Sequence, residues 1–241
     1  MQKIKLRPAI AMIELIFAIV ILGIVLMSAP QLISTANQSG YVTLQQEGIH
    51  EASSQMNLIL SMPWDEQNTN ELYIPPILRV AGGDVNLNEN ASTGRRAGTP
   101  SQSNRSFYRA DGSAFFATPP ANLGADGGDS DDMDDFNANS SLANQEASTS
   151  DYIETTTIQI ASSVRYGTDV ALGGTYRNPG ADNSINYNPP LNTTAFGQTN
   201  IKFITVTLTS TAGQDELNKT ITLNAFAANI GGYKLEERIY P

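Results

Sequence analysis

The chain has 241 residues, carries a formal net charge of −10 and contains no cysteine. That length holds one or two modest domains, and an acidic body has nothing with which to replace phosphate counterions, so nucleic acid is not an expected partner. Without cysteine, a disulfide framework, a zinc–thiolate site and a catalytic thiol are all excluded.

Residues 1–9 read as a basic leader with Lys3, Lys5, Arg7 and no acid; without them the charge moves from −10 to −13. Residues 10–33 are apolar and hold one carboxylate, Glu14. From Leu15 to Gln46 no side chain is charged. The run approaches the roughly 20 residues needed to cross a bilayer, with the basic leader left on the cytoplasmic side. A cleaved secretory signal fits poorly. Pro30 follows the best cut site directly, and Glu14 interrupts the start of the apolar centre. A plain single-span anchor remains open; it would tether a periplasmic binding or sensor protein with its N-terminus uncleaved.

The segment Ala9-Ile10-Ala11-Met12-Ile13-Glu14 resembles the processing site of type IV pilins and of the pseudopilins of type II secretion. In that family a small residue precedes the cut, a hydrophobic one follows it, and the fifth residue of the mature chain is glutamate. Counted from Ile10, Glu14 is fifth. Ala9 stands where glycine is usual, and Ile10 where phenylalanine is usual. The apolar run Leu15–Ile24, Gly23 included, and Pro30 extend the similarity over residues 3–35.

The resemblance implies a function. A prepilin peptidase would cut between Ala9 and Ile10, and the new amino group of Ile10 would be methylated. Glu14 would pair with that group on a neighbouring subunit during assembly. The implied partners are other pilin or pseudopilin subunits, the peptidase, the inner-membrane assembly platform and the membrane itself. The implied location is the bacterial inner membrane, spanned once with a periplasmic C-terminal head, and then a pilus or pseudopilus. Within the family the chain is most similar to a minor pilin of the mannose-sensitive haemagglutinin type. It would be the substrate of an enzyme rather than an enzyme, with no required cofactor.

Physical chemistry points the same way. An intramembrane acid costs on the order of 2.5–3.5 kcal/mol at mid-helix, and is a functional candidate in need of a partner. Cleavage before Ile10 would put an amino group about 6 Å along the helix from Glu14.

Residues 34–62 are predicted to continue the membrane helix as an amphipathic one. Leu44, Ile49, Ala52, Met56, Ile59 and Leu60 recur mostly three or four apart. Pro30 and Gly40 are expected to loosen the helix and Pro63 to end it. A helix over 10–62 would be roughly 80 Å long. His50, the only histidine, reads as a surface or packing residue. Trp64, the only tryptophan, reads as a packing anchor where the helix meets the head. The proline pair in residues 72–80 excludes a central strand, and residues 81–105 read as loop.

Between Asp126 and Asp135 lie six aspartates and no basic residue. Such clustering needs a cation, an arginine or solvent to relieve the repulsion. Calcium takes six to eight oxygens from flexible loops, which makes Asp126, Asp129, Asp131, Asp132, Asp134 and Asp135 a candidate calcium site. A solvated acidic loop is the alternative. The spacing is not that of an EF-hand, because Met133 and Ser140 fall where ligands are needed. Asp131–Phe136 also resembles an acidic stretch of some minor pilins.

Residues 152–166, 201–211 and 219–228 alternate as strands. Ile158, Ile160, Ser162 and Val164 share one face of the first. Ile204, Val206 and Leu208 oppose Thr205, Thr207 and Thr209 in the second. Ile221, Leu223 and Ala225 share a face of the third. The last two form a hairpin with a loop longer than two residues, and residues 231–235 add a short edge or extension. The expected fold is α+β. A long N-terminal helix, part transmembrane and part amphipathic, packs on a C-terminal antiparallel sheet in a head of residues 63–241. No phosphate loop, GxSxG, HExxH or dinucleotide fingerprint occurs.

Overall fold

The computed structural model describes residues 8–124, 128–138, 140–145, 156–170, 197–211 and 219–233. Helix α1 runs from Pro8 to Ser61 over 54 residues. It passes through Pro30 and Gly40 without a break, where the sequence predicts loosening. Proline removes one donor from the ladder, but the costly step in making a helix is its nucleus, and a helix already formed on both sides carries the gap. On either side of Pro30, Ser28 Oγ donates to the Val25 carbonyl at 3.0 Å and Thr35 Oγ1 to that of Gln31 at 2.9 Å. The helix ends as expected. The Met62 N–H donates to the Ile59 carbonyl at 3.2 Å, and Pro63 pushes the residue before it towards extended geometry.

The chain divides into two compact units, Met1–Gly48 and Ile49–Pro241. In the first, the helical segment Met12–Ala36 is 25 residues long with a mean hydropathy of 2.7, long and apolar enough to cross a membrane. All of its side chains are exposed.

The second unit is α+β. Strands β3 (Ser140–Gln145), β4 (Thr156–Tyr166), β5 (Ile201–Thr211) and β6 (Lys219–Ala228) form one antiparallel sheet in that order. The register places Ile160 opposite Leu208 and Val206 opposite Leu223. The inward face of β4 and β5, comprising Ile158, Ile160, Val164, Ile204, Val206 and Leu208, packs with Ala52, Met56 and Ile59 of α1 and with Met133 and Phe136. Each such aliphatic side chain contributes about 1.5–3 kcal/mol by leaving water. Ile221, Leu223 and Ala225 of β6 flank this core half-buried. The helical stripe is narrower than predicted: Ile49 and Leu60 are 41% and 40% exposed, because the sheet covers one line of the helix and these two lie beside it.

Two features go beyond the sequence reading. Strand β3 pairs with β4 through residues 140–145. A two-residue ladder, β1 (Glu89–Asn90) with β2 (Arg95–Arg96), forms inside the region read as loop. That region is held by polar contacts. Buried Asp169 accepts from the backbone N–H groups of Asp84 and Asn200, both at 2.9 Å, and from Asn200 Nδ2 at 2.6 Å. Arg96 donates to Asn200 Oδ1 at 2.7 Å and to the Asn229 carbonyl at 2.9 Å. Gly83 is required there, since a Cβ would fall 2.8 Å from both Asp169 and Asn200. After β6, the Gly232 N–H donates to the Pro75 carbonyl at 2.8 Å, so the chain extends along Pro75 as expected of residues 231–233.

Candidate functional site

Ala9 and Ile10 lie in the first turn of α1, backbone helical. Glu14 follows one turn later and is exposed. Around it Met12, Ile13, Leu15 and Phe17 are 65%, 58%, 60% and 63% exposed. Glu14 makes no ion pair with any described residue. The site therefore presents one carboxylate on an apolar helix, with the side chains from Met12 to Ala36 exposed.

The acidic segment divides: residues 128–131 are exposed and 132–136 are buried. Met133 and Phe136 are buried in the core and draw the residues between and beside them inward. Asp132, Asp134 and Asp135 are 1%, 3% and 4% exposed. Two of the three are held by the local chain. Asp132 Oδ1 accepts from the N–H groups of Asp134 and Asp135 at 2.7 and 3.1 Å, and Asp135 Oδ2 from those of Asp131 and Asp132 at 3.0 and 3.1 Å.

Asp134 meets a cation supplied by the sheet. Lys202 of β5 is fully buried, and its Nζ lies 2.5 Å from Asp134 Oδ1. It also lies 3.0 Å from Asp65 Oδ2 and donates to the Trp64 carbonyl at 2.7 Å. Asp65, just past the helix end, is itself held by the Thr118 N–H at 2.9 Å, the Thr118 hydroxyl at 3.2 Å and the Gln67 N–H at 3.3 Å. Two aromatic rings enclose the ammonium: Nζ is 4.3 Å from the Trp64 centroid and 5.6 Å from that of Tyr166. Trp64 is thus the packing anchor the sequence predicts and also a cation–π partner. His50 is exposed, a surface residue.

Burial sets the protonation here. It pushes the Asp132 carboxyl up to about 8, helped by the Asp134 charge beside it. It raises the Asp134 carboxyl as well, against the pull of Lys202. The Tyr166 hydroxyl is raised by burial and then by Asp65, Asp134 and Asp132; it donates to the Thr118 carbonyl at 2.7 Å.

Of the six aspartates read as calcium candidates, Asp126 lies outside the described residues. Asp129, Asp131 and Asp135 bring one oxygen each within 4.8 Å of one another. Asp132 and Asp134 face the other way, on backbone N–H groups and Lys202. Three carboxylates, two of them exposed, supply part of a calcium shell and leave the rest to water.

Sequence reasoning missed Lys202. The signal was present: Lys202, Ile204, Val206 and Leu208 are spaced two apart, so the face that buries the aliphatics buries the lysine too. Comparison with known proteins finds no family model, no curated protein and no solved structure that matches this chain.

Proposed function

We propose that this chain is a pilin-like filament subunit, a minor pilin of a type IV pilus or a pseudopilin of a type II secretion system. In this reading a prepilin peptidase cuts between Ala9 and Ile10, the Ile10 amine is methylated, and the subunit leaves the inner membrane for the filament by helix packing. Its head faces the periplasm or the outside. The protein is a structural subunit, not a catalyst.

The observation that carries the reading is Glu14. It is the only charge between Arg7 and Glu47, and it sits on a helix whose side chains from Met12 to Ala36 are all exposed. A carboxylate held among apolar groups is costly unless a cation reaches it. The freed amino group of a second copy supplies one, at the depth where Glu14 lies. The uncharged stretch from Leu15 to Gln46 suits packing against other helices, and Ala18 and Gly23 permit close approach.

The test is Glu14→Ala expressed beside the wild type. Equal amounts of the two chains are expected in the membrane, with the variant depleted from sheared filaments or pseudopili. Equal incorporation of both would overturn the pairing. A chain that stays in the membrane with residues 1–9 attached would instead be a tethered binding or sensor protein.

A further inference from the structure

We propose that Lys202 and Asp134 are joined by an isopeptide bond, an amide between the lysine Nζ and the aspartate Cγ, which staples the acidic segment to strand β5. The inference is independent of the filament reading, because it concerns only the head.

Three observations carry it. The first is contact: Nζ and Asp134 Oδ1 lie 2.5 Å apart, with both side chains at least 96% buried. Reacting groups held in place this way convert a bimolecular condensation into an intramolecular one. The second is the medium. The pair sits between the Trp64 and Tyr166 rings beside buried Met133. Removing water from an ion pair favours passing the proton from ammonium to carboxylate, which leaves a neutral amine nucleophile and a neutral acid. The third is a base. Asp65 Oδ2 lies 3.0 Å from the same Nζ and is fixed by Thr118 and Gln67, so it is in place to relay a proton.

The step balances without a co-reactant. The Nζ lone pair attacks Cγ of Asp134, and a C–N bond forms. Asp65 takes one proton from the nitrogen and hands it to the departing hydroxyl. The C–O bond breaks and one water leaves; nothing is oxidised or reduced. The staple spans residues 134 and 202, a separation of 68. A cross-link over so long a loop restricts the unfolded chain most, in a protein that has no cysteine with which to do the same.

Mass spectrometry of the full chain, purified in detergent, tests the bond. The intact protein is expected to be one water lighter than its processed sequence. Trypsin should fail to cut after Lys202 and should yield a branched species joining residues 110–165 to 178–219, with fragmentation placing the branch at Asp134. Asp134→Ala should restore the missing water and the cut. Asp65→Asn, with folding followed by circular dichroism, should lose the branch while keeping the fold. A wild-type chain cut normally after Lys202 overturns the proposal and leaves an ammonium ion pair. So does a water deficit without a branch, or a branch to the peptide that holds Asp65.

Discussion

Glu14 and Asp134 are both carboxylates set among apolar side chains, and they differ in where the cation is. Asp134 has Lys202 at 2.5 Å, brought by a strand of the same chain. Glu14 has no ion-pair partner among the described residues, and its neighbours on α1 are exposed. The first arrangement closes within one molecule and serves the stability of the head. The second is left open among the described residues. A buried charge whose partner is internal reports on folding; in the proposed function the one on the apolar helix reports on assembly.

The comparison breaks most sharply at Lys202. Replacing it by Met removes the nitrogen that Asp65 and Asp134 share, bonded or ionic, and leaves both carboxylates buried without it, which should cost about 3–5 kcal/mol. A denaturant titration of the full chain in detergent should show the midpoint of head unfolding fall accordingly; an unchanged midpoint would mean that the cluster is solvated. Ile59→Ala, at a fully buried position of α1, should cost about 2–5 kcal/mol. Leu60→Ala one residue on, where the side chain is 40% exposed, should cost far less in the same titration. Equal costs would show that the sheet does not select one line of the helix.

A smaller effect comes from pH. The folded Asp132 carboxyl keeps its proton up to about 8, whereas the unfolded one releases it near 3.8. Between those values the folded state binds more protons, so this group makes stability fall as pH rises. Asp134, Asp135 and Lys202 are the charged groups facing it. Melting curves between pH 5 and pH 8 should show the decline, and Asp132→Asn should flatten it. The smallest effect on the head is expected from Glu14→Gln. The stability of the head should match the wild type within about 0.5 kcal/mol, because Glu14 is exposed and belongs to the first compact unit, while the sheet belongs to the second. A large shift would place Glu14 in the folded core and end the contrast.

The helix and three of the four main strands were legible because their apolar residues repeat at 3.6 or at two. Strand β3 was not. Its residues, SSLANQ, carry one large aliphatic side chain, and as an edge strand it pairs on one side only. The β1–β2 ladder is two residues long and leaves no period to read. Asp134 was read with the calcium candidates because the lysine it meets is 68 residues away in sequence. Local spacing shows repulsion among aspartates but not the lysine that relieves it. The proposed motif around Ala9, Ile10 and Glu14 is a reading of neighbouring residues alone, and it stays a proposal.

The most direct measurement of the central claim is the N-terminal residue of the protein isolated from cell membranes and filaments. The account predicts a chain that begins at Ile10 with a methylated amine. A native chain that begins at Met1 would contradict it.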